Sequence, residues 1–271
     1  MLKLILLFIA ILPVYAIGYY IYKKDNEKEP QKLLRKLFLF GVLSCIPAAI
    51  IEVILGPLFG SKEGRNLIAW FIYVALDIAL IEEMFKWLIV YIVSYKNKDF
   101  DQIYDAIVYA VFVSLGFACF ENILYVFDSG FTIGLFRAVT SIPGHAVNAI
   151  IMGDFIGLAK LADIKGDIKL RNKNLLFSII FPTLTHTIYD FCLVTENYFL
   201  FGCFLLFMVF LYIFGINKVK AISSKSQNLY PGIIHNFVNF CPKCGTKAIG
   251  KFCTTCGNNL SAEDTNEHLT H

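Results

Sequence analysis

Apolar residues run through this chain in long blocks separated by short lysine-rich segments. A bilayer core about 30 Å thick requires roughly 20 apolar residues in a helix rising about 1.5 Å per residue. By that ruler the pattern predicts seven spans, at 2–22, 36–59, 67–95, 103–127, 136–160, 175–195 and 198–217. The first block also has the look of a signal peptide, with Lys3 as its basic start. However, the block is long for such a segment and no A-x-A cleavage site precedes Lys23 and Lys24, so it is read as a retained helix.

Composition agrees with this reading. The 271 residues are 57% hydrophobic and 17% charged, with a mean hydropathy of +0.64; a soluble domain is about 45–50% apolar and about 25% charged. The net charge of +3 is small, and no basic block with interleaved aromatics is present, so no nucleic-acid partner is expected. The placement of the charges matters more. Lys23, Lys24, Lys28, Lys32, Arg35 and Lys36 follow the first span. Lys96 and Lys98 follow the third, Lys160, Lys165, Lys169, Arg171 and Lys173 the fifth, and Lys218, Lys220 and Lys225 the seventh. The opposite ends hold only Lys3, Lys62, Arg65 and Arg137. Cytoplasmic segments carry the excess of lysine and arginine. The expected topology therefore has the N-terminus outside and the C-terminus in the cytoplasm of a cell, in an all-α polytopic protein of residues 1–217.

The tail changes character. Residues 218–238 (KVKAISSKSQN and beyond) read as a linker, 239–260 as a compact module, and 261–271 as a polar end. Within the module, Cys241, Cys244, Cys253 and Cys256 form two C-x-x-C pairs, each followed by glycine. Four thiolates set tetrahedrally suit a closed, structural Zn²⁺ site, and a module this small takes its folding energy from the metal. A reducing cytoplasm disfavours the disulfide alternative. The expectation is a β zinc ribbon that docks a cytoplasmic protein. Cys45, Cys119, Cys192 and Cys203 fall within spans and are read as apolar packing residues.

Ionisable groups inside the spans need a separate explanation, because each costs roughly 2.5–3.5 kcal/mol at bilayer depth. The third span carries Asp77 and then Glu82, Glu83 and Lys86 in IEEMFKW; the fourth carries Glu121 and Asn122 in GFACFENILY. The fifth carries His145 and Asn148 in PGHAVNAI, and the sixth His186 and Asp190 in THTIYD. Their positions fall in one layer between the midplane and the outer face. Glu82 and Lys86 are i,i+4, so the lysine is expected to neutralise that glutamate. Glu83 then lies about 100° around the helix, free for another partner. His186 and Asp190 are also i,i+4, so the aspartate can orient the imidazole. Two histidines and surplus carboxylates at one depth suit a metal site or a general-base site. Glu52 and Asp77 are read as structural or pathway groups, and Lys3 and Arg137 as snorkelling side chains.

EEMFKW (82–87), FDQIYDAIVYAVFVSLGFACFENILY (100–125), SIPGHAVNAIIMGDFIGLA (141–159) and THTIYDF (185–191) stand in the order of the motifs of PrsW-like intramembrane proteases. The chain resembles that family over about residues 65–195, and through it the wider group of CAAX prenyl proteases and Abi proteins. The resemblance implies that Glu82 and Glu83 match the essential glutamate pair, Glu121 the second motif's glutamate, and His145 and His186 the two histidines. It further implies proteolysis of single-span, membrane-anchored proteins in a bacterial cell membrane, with an anti-sigma factor in stress signalling as the model substrate. The D-G-x-V-Y-G pattern expected of such proteins appears as Asp105-Ala106-Ile107-Val108-Tyr109-Ala110, with alanine at both glycines.

The mechanism expected from these residues is hydrolysis in a water-filled cavity among spans three to six. Glu83 activates water, while Glu82 is held by Lys86 or shares the role. His145 and His186 either bind a divalent metal, with Zn²⁺ the leading choice, or stabilise the oxyanion and protonate the leaving amine without one. Asn122 is expected to donate a hydrogen bond to substrate, with Asn148 and Asp190 in support. Two other readings use the same cluster: a non-catalytic membrane sensor or docking protein, and an ion-coupled transporter.

Overall fold

The computed structural model describes residues 2–60, 65–225, 229, 239–240 and 247–248. The chain divides into two compact units, Met1–Ser226 and Gln227–His271.

The first unit is helical. Its elements are α1 (Leu2–Lys24), α2 (Gln31–Leu55) with a 3₁₀ turn at Gly56–Phe59, α3 (Leu67–Tyr73), a π-helical segment (Val74–Ala79), α4 (Leu80–Ser94), α5 (Ile103–Val139), α6 (Ser141–Ile164), α7 (Ile168–Val194) and α8 (Tyr198–Lys225). By length and composition, four stretches among the described residues can cross a membrane: Gln31–Phe59, Ile103–Ile164, Ile168–Val194 and Tyr198–Ser224. The 103–164 stretch is not one rod. Gly130 takes φ 81° and ψ −166°, outside the helical region, and Thr140 leaves it at φ −121°. The chain thus turns at Gly130, runs a short helical piece to Val139 and enters α6. The span expected at 136–160 is therefore a short helical piece followed by α6, and α7 begins at Ile168 rather than near 175.

α5 and α6 form the core: α5 packs on α1, α2 and α6, and α6 packs on α5 and α7. The most apolar stretch of 103–164 is 83% buried, against 28% in α2, 33% in α7 and 22% in α8. The peripheral helices show apolar outer faces, among them Leu43, Val53, Leu176, Leu206 and Phe210. Such continuous apolar surface suits lipid.

Without a hydrophobic drive between helices in lipid, close backbone contact over small residues holds them together. A Cβ on Gly41 would stand 2.0 Å from the Val113 carbonyl oxygen, and one on Gly116 would stand 2.1 Å from that of Phe38. The two glycines face each other's helix and let α2 and α5 touch. Where the sequence places Ala106 rather than glycine, the approach is made from the other side. Gly153 of α6 lies against the backbone of Ala106 and Ile107, and Gly157 against that of Ile103.

The π segment immediately precedes the glutamate pair. Its wider turn re-phases the face of α4 relative to α3, a feature frequent at functional sites. It leaves Glu82, Glu83, Lys86 and Val90 inward on α4. Trp87 Nε1 donates to Ser178 Oγ at 2.8 Å and ties α4 to α7.

In the second unit, β1 (Asn239–Phe240) and β2 (Lys247–Ala248) pair antiparallel, with Asn239 opposite Ala248 and Phe240 opposite Lys247. Cys241, Cys244, Cys253 and Cys256 lie outside the described residues.

Candidate active site

The intramembrane polar residues converge on one buried centre. Lys86, with no exposed surface, places Nζ 2.9 Å from Glu82 Oε2, 2.9 Å from Glu83 Oε1 and 3.1 Å from His145 Nδ1. The expected i,i+4 pair with Glu82 is present, but the i,i+3 contact to Glu83 is equally short. Glu83 is thus not free for a separate task. Its Oε1 also lies 3.0 Å from His186 Nδ1, and the residue is fully buried. Position i+3 lies on the same helix face as i+4, and a four-carbon stem reaches both.

The two imidazoles stand edge to face, with ring centroids 5.2 Å apart. Each is braced by a carboxylate. His145 Nε2 lies 3.0 Å from Glu121 Oε2, and His186 Nε2 lies 3.3 Å from Asp190 Oδ2 and 4.0 Å from Glu82 Oε2. Carboxylates in such positions fix ring orientation and tautomer. The i,i+4 spacing of His186 and Asp190 delivers the contact expected of it.

Arg137 departs from its expected role. It does not snorkel: the turn at Gly130 brings the 131–139 piece back, so that Arg137 forms an ion pair with Glu121 at 2.9 Å, with only 13% of its side chain exposed. Its Nε donates to Asn122 Oδ1 at 3.3 Å, and its guanidinium lies 3.8 Å from the centre of the Tyr125 ring. The sequence contained a signal for this role. Arg137 is the one basic residue between Lys98 and Lys160, a stretch that also holds a buried glutamate in need of a countercharge.

A cavity of about 300 Å³ opens on this centre, lined by Glu82, Glu121, Arg137, His145, His186 and Asp190, with Glu52 and Asn148 at its wall. Neither Glu83 nor Lys86 lines it. Asn122, expected to meet substrate, is fully buried and instead holds Arg137. Asn148 does face the cavity, with its Oδ1 accepting from Thr185 Oγ1 at 2.6 Å. Helix α2 contributes Cys45, Ala49 and Glu52, so the cavity is wider than spans three to six alone. Asp77 is buried in the π segment and does not line the cavity.

These features define a class: a polytopic helical membrane protein whose buried carboxylates and imidazoles meet at an enclosed polar cavity. A family model for the PrsW family intramembrane metalloprotease matches residues 29–215. Curated relatives described as protease PrsW share 37% identity over 211 residues in Oceanobacillus iheyensis (78% of this chain, 92% of the relative) and 35% over 215 residues in Bacillus subtilis (79% and 94%). A third, from Clostridioides difficile, shares 32% over 236 residues (85% and 96%). The chain belongs to the PrsW family of intramembrane proteases, and is a peptidase of the lipid bilayer. No solved structure matches the chain.

The family is one of metalloproteases, and the centre here fits a divalent ion. Glu82, Glu83, His145 and His186 each offer a donor atom within 4.8 Å of the others, a mixed oxygen–nitrogen set suited to zinc. Glu83 Oε2 is buried without a hydrogen-bond partner, so a donor atom stands uncommitted in this set.

Proposed function

We propose that the Glu82, Glu83, His145 and His186 centre hydrolyses peptide bonds of single-span membrane proteins, with Glu82 as the carboxylate that takes a proton from the attacking water. The observation that carries this reading is the lining of the cavity. Glu82 faces it beside His145 and His186, whereas Glu83 is enclosed by Lys86 and His186. The roles first assigned to the two glutamates are thereby exchanged. Glu83 and Lys86 form the fixed base of the site, and Glu82 is its working face.

The same four residues would hold a divalent ion, which supplies Lewis-acid polarisation of the scissile carbonyl and makes water a better nucleophile. The remaining groups position and compensate. Asp190 and Glu121 orient His186 and His145, and Arg137 holds Glu121 in place. Asn148 offers its amide N–H to the substrate backbone or to the developing oxyanion. Glu82, once it has taken the proton of the attacking water, is placed to return it to the departing amine, while Asp190 holds His186 in orientation.

Seven spans with an external N-terminus and a cytoplasmic tail complete the proposal. The alternation of lysine and arginine supports it, and it puts the cavity towards the outer half of the membrane. An anti-sigma factor is a substrate of the right kind for such a site. The ribbon cysteines Cys241, Cys244, Cys253 and Cys256 bind a structural zinc and dock a cytoplasmic protein. Metal analysis of a variant with these four cysteines changed to serine tests the centre separately. One zinc per chain, lost in His186→Ala, is the expected result; full activity in zinc-free protein overturns the metal assignment.

A further inference from the structure

A second cluster of buried acids sits at the lysine-rich end of the helices, away from the cavity. Asp25 and Glu29 lie in the connection between α1 and α2, and Asp105 opens α5; each offers a carboxylate oxygen within 4.8 Å of the others. Asp105 is 16 residues before Glu121 on the same helix, about 24 Å at 1.5 Å per residue. This cluster is therefore a separate place from the peptidase centre.

All three acids are buried, Asp25 with 3%, Glu29 with 6% and Asp105 with none of its surface exposed. Asp105 Oδ2 is committed to the helix start, accepting from Asp101 N at 2.9 Å and Gln102 N at 2.6 Å, and its Oδ1 has no partner. The Asp25 carboxylate makes no hydrogen bond of good geometry, with the backbone N–H groups of Glu27 and Glu29 near it. Glu29 accepts from the Tyr109 hydroxyl. The nearby cation, Lys28, is directed at backbone: its Nζ donates to the carbonyls of Tyr22 at 2.7 Å, Lys23 at 3.2 Å and Asp25 at 2.5 Å, and it forms no ion pair with the three carboxylates. No ion pair reaches Asp25, Glu29 or Asp105 among the described residues.

Burying an ionised carboxylate costs several kcal/mol unless a cation or hydrogen bonds compensate it. Three such groups, with Asp105 Oδ1 unpartnered and one lysine nearby whose ammonium is bound to backbone carbonyls, leave two solutions, protons or a metal. Burial pushes Asp25 above its ordinary value in spite of the nearby Lys28, and raises Glu29 to about 7. We propose that Asp25, Glu29 and Asp105 bind a hard divalent cation, Mg²⁺ or Ca²⁺, that pins the α1–α2 connection to the start of α5. The donor set is all oxygen, with neither nitrogen nor sulfur, which is the chemistry those two ions select. The pinned connection is itself latched to α8, through Asn26 Nδ2 donating to the Ser223 carbonyl at 2.7 Å. Occupancy therefore ties three parts of the helical unit together.

Terbium(III) is the probe, since it takes the same oxygen ligands and is sensitised by adjacent tyrosine; Tyr109 touches Glu29 directly. Full-length, metal-stripped protein in detergent is titrated with terbium, and the emission is displaced with Mg²⁺ or with Ca²⁺. Saturable emission is expected, displaced by one or both ions, and the more effective competitor identifies the resident cation. Asp25→Asn should weaken terbium at least tenfold and abolish the thermal stabilisation given by the competing ion. Because it removes an uncompensated buried charge, this variant should be at least as thermostable as the parent when no cation is present. If Asp25→Asn fails to fold, Glu29→Gln decides by the same tenfold criterion. The glutamate-pair variant Glu82→Gln/Glu83→Gln, made together with Lys86→Met so that no buried charge is stranded, should retain the signal. No saturable emission in the parent protein, unchanged affinity in the acid-cluster variant, or loss only in the glutamate-pair variant overturns the proposal.

Discussion

Lys86→Met tests the electrostatic logic of the centre most sharply, because methionine keeps the length of the stem and removes only the ammonium. That ammonium lies 2.9 Å from each of two carboxylates and is fully buried, as is Glu83. At an effective dielectric of about 20, each contact represents about 6 kcal/mol of attraction before desolvation is counted. Desolvation cancels most of this, and removing one member of a buried pair typically costs about 3–5 kcal/mol, because the other charge is left uncompensated. Lys86→Met should therefore lose about 3–5 kcal/mol in equilibrium unfolding of chelator-treated protein in mixed micelles. Adding Glu82→Gln and Glu83→Gln to it removes the stranded charges and should recover most of that loss, while activity stays absent. A loss below about 1 kcal/mol in Lys86→Met, or a triple variant as unstable as the single one, would refute the view that Lys86 neutralises the pair.

The remaining predictions concern the site's outer bracing and the acidic end. Arg137→Gln unpairs Glu121 and loosens His145, so peptidase activity should fall by about tenfold to a hundredfold with little change in substrate binding; an unchanged kcat would remove Arg137 from the site. The raised value of Glu29, about 7 against an ordinary 4.5, means that the folded protein holds its proton more tightly than the unfolded chain. Stability should then fall as pH rises from about 4.5 to about 7 in cation-free buffer. Glu29→Gln should flatten that slope in thermal unfolding scans, and an unaltered slope would contradict the assignment.

Much of the site was legible because helical spacing is a local property. The pairs Glu82–Lys86 and His186–Asp190 follow from i,i+4, and the four polar segments align in depth because each span measures it independently. What spacing could not supply was the rank of Glu82 and Glu83. Lys86 reaches both, and only the surrounding helices decide which glutamate faces the cavity. Arg137 was misread for a related reason. A cation near the end of an apolar run normally snorkels, but the turn at Gly130 folds the 131–139 piece back over Glu121, and that turn is a tertiary event. Asn122 adjoins Glu121 in sequence yet points at Arg137 rather than at the cavity, whereas Asn148 lines it. Alanine stands at position 106 where the family pattern has glycine, and the close approach there comes from Gly153 on the partner helix α6.

The most direct test is cleavage in liposomes that contain only the purified full-length protein and single-span bacterial membrane proteins tagged at both ends, with products located by mass spectrometry. The account predicts a defined cut by the parent protein, and none by Glu82→Gln or His186→Ala variants that remain monodisperse and helical. Cleavage at the parent rate by a Glu82→Gln variant would contradict it.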